Sequence, residues 1–195
     1  MYAHRYFTET EFQVIQYFNG GERVLQPDQH DYLAWAEAGN VPTIEAAGRF
    51  ISVVDGELVV DPNMDAILFS EAKVAKLASV SYLRDGKIKE GIPYQFPDGP
   101  GTIQTRDHDD FRNIAGIATA GIALSGQSPT LAFRDQENVT HELTPAQAVT
   151  LGLHVTTAVE SFYQAAWVHK DAITAIETME GIETYDLTVG WPQIY

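Results

Sequence analysis

Apolar and polar positions alternate through the first sixty residues, with turn-forming residues at close spacing, and that period of two predicts short strands. The clearest hairpin runs Phe50-Ile51-Ser52-Val53-Val54, Asp55-Gly56, Glu57-Leu58-Val59-Val60, because Asp-Gly accepts the positive φ angles that a type I′ turn demands. One short helix interrupts the strands. Pro27-Asp28 opens it, Tyr32, Leu33 and Trp35 carry it, and Gly39-Asn40 with Pro42 ends it.

From Pro62 to Arg84 the period becomes helical, with Ile67, Val74, Leu77 and Leu83 near one stripe and Asp85-Gly86 as the stop. Such a helix either links two domains or packs on its own. Residues 87–105 then read as an extended pair. Lys87-Ile88-Lys89 and Ile92-Pro93-Tyr94-Gln95-Phe96 come first, Pro97-Asp98-Gly99-Pro100-Gly101 turns the chain, and Thr102-Ile103-Gln104-Thr105 returns it. Pro93 confines its strand to an edge. A helix follows from Asp107 to Leu124, capped by Asp107 or Asp109, with Ile114, Ile117, Ala118, Gly121 and Ile122 inward.

Thr130–Arg134, the turn Asp135-Gln136-Glu137-Asn138, and Val139–Leu143 make a second hairpin. Thr144-Pro145 starts the longest helix, since Thr is a preferred N-cap and Pro suits the first helical position. Ala148, Leu151, Val155, Val159, Phe162 and Ala166 recur at spacings of three and four, which is one continuous buried face. This helix is expected to end near Lys170, with a short helical segment over Ala172–Glu180. The closing stretch carries Tyr185, Leu187, Trp191, Pro192, Ile194 and Tyr195, too many large apolar groups for an idle coil. It is expected to dock, against another chain or against another part of this one.

Together these elements define an α+β protein. A small β-rich N-terminal domain (1–60) and a linking helix (61–86) precede a C-terminal domain of β-hairpins packed on a long helix (87–195).

Charge narrows the partners. The net charge is −15, from 27 acidic against 12 basic residues in 195, with no basic run longer than the Lys87, Lys89 pair. A polyanion is repelled, and the basic footprint of a nucleic-acid-binding protein is missing. Cysteine is absent, which removes disulfides, thiolate metal sites and cysteine nucleophiles. No apolar run approaches the roughly 20 residues of a bilayer span, so membrane insertion is not expected. Met1-Tyr2-Ala3-His4-Arg5-Tyr6 has no apolar stretch behind its basic residue, so no signal peptide is expected.

Candidate chemistry is sparse. Asp107, His108, Asp109 and Asp110 are the densest set of ionisable residues, but neighbours at a helix start diverge, and capping with the macrodipole accounts for acids there. His141-Glu142 lacks the second histidine of a zincin motif, because Pro145 occupies that position. His154 and His169 lie about 22 Å apart along one helix and share no ligand. Ser125 and Ser128 lack a nucleophile elbow, and Gly116, Gly121 and Gly126 lack a phosphate-loop pattern. No catalytic, cofactor or metal residue is therefore assigned. A glycosidase needs only two acids, and 27 acidic residues conceal any pair.

A family resemblance rests on ordered residues. Tyr94-Gln95-Phe96-Pro97-Asp98-Gly99, Ile103-Gln104-Thr105-Arg106 and Asp110-Phe111-Arg112-Asn113-Ile114 begin it. Phe133, Asn138, His141-Glu142-Leu143-Thr144, Tyr163, Lys170-Asp171-Ala172-Ile173 and Gly190-Trp191-Pro192 continue it in order. The series resembles a domain of unknown function common at the C-termini of tailed-phage tail-fibre and tail-fibre-assembly proteins, over about residues 90–192. Asp31-Tyr32-Leu33-Ala34-Trp35 and Glu37-Ala38-Gly39-Asn40-Val41-Pro42 also resemble a phrase of small tail-fibre-assembly proteins. The first sixty residues depart from the repetitive β shaft of a fibre.

The resemblance implies a non-enzymatic phage tail protein without a cofactor. Its partner is the tail-fibre polypeptide or a neighbouring tail protein, bound as an assembly chaperone or as a resident component of the tail or baseplate. Self-association into a homo-oligomer is compatible with that role. The implied location is the host cytoplasm during assembly and then the virion tail. The alternative reading is a small hydrolase or depolymerase acting on host cell-surface polymer.

Overall fold

The chain splits into two contact-defined units, Met1–Phe69 and Ser70–Tyr195. The computed structural model describes residues 2–6, 12–18, 21–25 and 30–194.

In the first unit, β1 (Tyr2–Tyr6), β2 (Phe12–Phe18) and β3 (Gly21–Leu25) pair antiparallel in sequence. After α1 (His30–Glu37), β4 (Thr43–Ala46) lies parallel to β1, giving the order β3-β2-β1-β4. Val14 and Leu25 are buried here with Phe12 and Trp35 against them. Arg5 reaches across the sheet to Glu45 at 3.0 Å and Glu22 at 2.8 Å. β5 (Ile51–Val54) and β6 (Glu57–Val60) form the expected hairpin, with Asp55 and Gly56 both at positive φ (53° and 81°). Pro27-Asp28, the expected opening of α1, lies outside the described residues.

α2 (Met64–Lys89) supplies Ser70–Lys89 to the second unit. It runs through Asp85-Gly86 and stops at Glu90-Gly91, where Gly91 takes a φ of 97°. Gly86 thus sits inside a helix, and Lys87-Ile88-Lys89 is its last turn, not a strand. The tertiary environment decides this: Ile88 is buried in the main core, which outweighs the modest cost of an internal glycine. The buried positions of α2 are Val80 and Ile88, whereas Val74, expected inward, is 64% exposed.

β7 (Ile92–Phe96) and β8 (Gly99–Ile103) pair with Phe96 opposite Gly99, so the turn is only Pro97-Asp98, tighter than expected. α3 (His108–Ala123) begins at the N-cap Asp107, whose carboxylate accepts from the backbone N–H groups of Asp109 and Asp110. Ile114 and Gly121 face inward, but Ile122 is exposed. β9 (Leu131–Arg134) and β10 (Thr140–Leu143) form the second hairpin, and α4 (Pro145–Ala175) follows. Thr144 caps α4 in a reciprocal arrangement with Gln147.

α4 outruns the expected end at Lys170 because Ile173, one turn on, is still buried. α5 is correspondingly later, Met179–Thr184.

The core gathers Ile92, Phe96 and Ile103 from the first hairpin of this unit, Leu143 from the second, and Ile114 from α3. Against them lie Ala148, Leu151, Val155, Ala158 and Phe162, the apolar face of α4. α3 and α4 approach closely because both are glycine-bearing there. A Cβ on Gly121 would meet the Pro145 carbonyl oxygen at 2.5 Å, and one on Gly152 would meet the Ala118 Cβ at 2.6 Å.

Candidate functional site

Two tight turns bring the chain's most unusual polar group together. Asp98 occupies the two-residue turn between β7 and β8. Asp135 opens the turn after β9, where its carboxylate accepts the Val139 N–H at 2.7 Å and Asn138 takes a positive φ. His141 stands in β10 opposite Phe133 and is buried.

The His141 Nδ1 lies 2.6 Å from Asp98 Oδ1 and its Nε2 lies 3.0 Å from Asp135 Oδ2. Ionised carboxylates only accept, so both ring nitrogens donate and the ring is an imidazolium. Burial works against that charge, but the hydrogen bonds to Asp135 and Asp98 outweigh it and hold the His141 pKa above its ordinary value. For Asp135 burial pushes upward, and the bonds from His141 and the Val139 N–H prevail, holding it below the carboxylate range. Asp135 is almost wholly buried while Asp98 is half exposed, so the clasp has one dry and one wet end.

Further bonds stitch the same two hairpins. The Gln136 N–H donates to the Thr102 carbonyl (2.9 Å), and the Thr102 N–H donates to Glu137 Oε2 (3.0 Å). Gly101 is needed at the crossing, because a Cβ there would meet Asp135 Oδ2 at 2.6 Å. Chemically, the arrangement fastens. Both carboxylates are engaged by one imidazolium, which ties the two hairpins together.

The sequence-selected residues fall elsewhere. The closing segment folds back onto its own unit: Tyr185 Oη lies 2.9 Å from His169 Nδ1, and His169 Nε2–H donates to the Val189 carbonyl (3.0 Å). Trp191 donates to the Leu187 carbonyl (2.8 Å), and Trp191 and Ile194 pack against the main core. Pro192 and Ile194 border a shallow recess with Phe162, and Leu187 is half-buried. Tyr195 lies outside the described residues. Of the two docking modes expected for this tail, the structure shows the internal one.

The acid cluster at α3 does what capping predicts. Asp107 caps, Asp110 accepts from Arg106 (2.9 Å from its N–H, 3.1 Å from Nε), and Asp109 pairs with Arg112 at 3.2 Å. His154 donates to the Pro93 carbonyl at 2.8 Å, at the edge of the core. Among the described residues no group of three or more His, Cys, Asp or Glu is placed to hold a metal. No helix among them is long and apolar enough to cross a membrane.

One surface escaped the sequence reading. Trp167 on α4 is 56% exposed, and Tyr163 one turn earlier lies 6.4 Å away, ring to ring. The Arg84 guanidinium of α2 sits 4.3 Å over the Tyr163 ring. Their spacing of four residues on α4 is the signal that the sequence carries for this surface.

The second unit is thus an α+β domain in which two clasped hairpins and a short helix pack on one long helix. A family described as a domain of unknown function, DUF4376, matches residues 71–189, more than half of the chain, and the chain belongs to it. The matched span begins one residue after the second unit does and takes in Asp98, Asp135, His141, Tyr163, Trp167 and His169. No curated protein and no solved structure matches.

Proposed function

We propose that the chain is a non-enzymatic tail protein of a tailed phage that binds the tail-fibre polypeptide, as an assembly chaperone or as a resident component of the tail or baseplate. The observation that carries a protein-binding role is the exposed Trp167 with Tyr163 beside it, the Tyr163 ring lying under the Arg84 guanidinium, which Asp85 holds in place. Arg, Tyr and Trp are the residue types that dominate interface energies, and this trio is mounted on two long helices that need no reordering on docking. The assignment to a phage tail rests on the resemblance of residues 90–192 described above. Several of its landmarks are pieces of one framework: Phe96 beneath His141, Asp98 at its edge, Trp191 against the core. Fibre trimers are long and β-rich, and a partner that covers exposed edges and apolar tips suits their slow assembly.

Co-expression with the tail-fibre polypeptide tests this. The wild-type chain is expected to co-purify with the fibre, and the Tyr163→Ala, Trp167→Ala double variant, folded by circular dichroism, to be lost from the complex. Failure of the wild type to bind sinks the functional reading, and undiminished binding by the variant sinks the surface. Mass spectrometry of purified particles then separates a departing chaperone from a resident component.

A further inference from the structure

Beside the clasp, β9, the turn after it and one face of α3 enclose an open groove of about 740 Å³. Arg106, Arg112 and Arg134 line it, with Gln104, Asn113 and Gln136 between them. Only 12 of 195 residues are basic and the net charge is −15, so three guanidinium groups in one groove run against the chain's average.

Their surroundings differ in a telling way. Arg106 is committed: it binds Asp110 through Nε and Gln104 Oε1 through its terminal nitrogen (2.7 Å). Arg112 touches only Asp109, at 3.2 Å, and both side chains of that pair are about 70% exposed, so the contact is weak. The Arg134 side chain makes no hydrogen bond or ion pair among the described residues. The acid on the groove wall, Asp135, does not compete for them, because His141 and the Val139 N–H hold its oxygens.

Two available planar forks suit a carboxylate, which guanidinium binds in bidentate fashion. The amides of Asn113 and Gln136 both donate and accept, which is the complement of hydroxyl groups, whereas the Gln104 amide is held between Arg106 and the Asp135 carbonyl. A long polyanion is disfavoured, since every charge beyond the groove meets the acidic field of the chain. The volume is that of a site for a few linked rings, not for a macromolecular surface.

We propose that this groove binds a short acidic saccharide, its carboxylate held by Arg112 and Arg134 and its hydroxyls by the Asn113 and Gln136 amides. This ligand site is independent of the Tyr163–Trp167 surface and of whether the fibre is the protein partner.

Titration calorimetry of the full chain with trigalacturonate at low ionic strength tests it. Binding is expected in the range up to about 1 mM, weak but measurable for an open groove. Arg134→Met and Arg112→Met are each expected to weaken it about tenfold, the loss of a charge-assisted bond. Asn113→Asp, which adds a charge at the groove while keeping the side-chain size, should do the same. Lys170→Met, a cation removed from α4 outside the groove, should leave affinity unchanged. The methyl ester of the same saccharide should not bind, and equimolar inorganic phosphate should not displace the acid form. No heat up to about 10 mM ligand would overturn the proposal. So would equal binding of the ester, displacement by phosphate, or an effect of Lys170→Met as large as that of Arg134→Met.

Discussion

The imidazole of His141 lies flat on the ring of Phe96, with centroids 3.7 Å apart and planes 3° from parallel. The charged ring thus has carboxylates at its two nitrogens and the π-face of a core aromatic beneath it. Each contact compensates part of the cost of removing an imidazolium from water. Phe96 is itself fully buried, so the clasp is built into the core and not laid over it.

Stability should therefore depend on pH through His141. Its folded pKa is raised above the ordinary value of about 6.5, so its contribution is complete below that and is lost as pH rises through the folded value. Asp135 is lowered, so its contribution is present above about pH 4 and is lost as pH falls through its folded value. Denaturant melts between pH 5 and pH 9, compared with those of His141→Gln, check the first sign. The wild type should lose more stability than the variant on the alkaline side, and a parallel loss in both would remove the clasp from the account.

Asp98→Asn should move the alkaline loss to lower pH, because it removes the negative charge of one of the two carboxylates that raise the His141 pKa. The His141 ring protons, followed by NMR through a pH titration, report this directly. An unchanged titration midpoint would mean that the half-exposed Asp98 contributes nothing.

The α+β class, both hairpins of the Asp-Gly and Asp135–Asn138 kind, and the cap of α4 were legible because each rests on local chemistry. Thr144-Pro145 and Asp55-Gly56 carry their own instructions. Element ends were less legible where burial decides them. Gly86 lies inside α2 because Ile88 beyond it is core, and α4 continues past Lys170 because Ile173 is core. The clasp was not legible at all. Asp98, Asp135 and His141 are up to 43 residues apart, and nothing in their spacing says that two turns will meet over Phe96.

Phe162 should be a keystone of the α4 face. It is 6% exposed and belongs to the same cluster as Ile92, Phe96 and Leu143. Phe162→Ala should cost about 3–5 kcal/mol, visible as a much lower melting temperature. An unchanged melt would place that face outside the core.

Gly152→Ala should destabilise although alanine is the better helix former. The new methyl would stand 2.6 Å from the Ala118 Cβ, and overpacking of this kind costs about 1–3 kcal/mol against a propensity gain of about 1 kcal/mol. Adding Ala118→Gly should recover much of the packing loss, giving a coupling of at least about 0.5 kcal/mol in a double-mutant cycle. Additive effects would mean that α3 and α4 separate freely at this point.

Truncation after Thr184 tests the tail. The segment beyond it brings Trp191 and Ile194 to the main core and supplies both partners of the buried His169, the Tyr185 hydroxyl and the Val189 carbonyl. Lys87 Nζ also lies 5.8 Å above the Trp191 ring, tying α2 to the same segment. Loss of these groups exposes apolar core and leaves a buried imidazole without its bonds, a penalty on the order of 3 kcal/mol or more. The truncated chain should melt on the order of 10 °C lower. Tyr185→Phe in the full chain should show a smaller part of that loss, since it removes one hydrogen bond and keeps the packing. A truncated chain that melts like the full one would show that the tail does not support the fold, and would return Trp191 and Ile194 to the surface available for a partner.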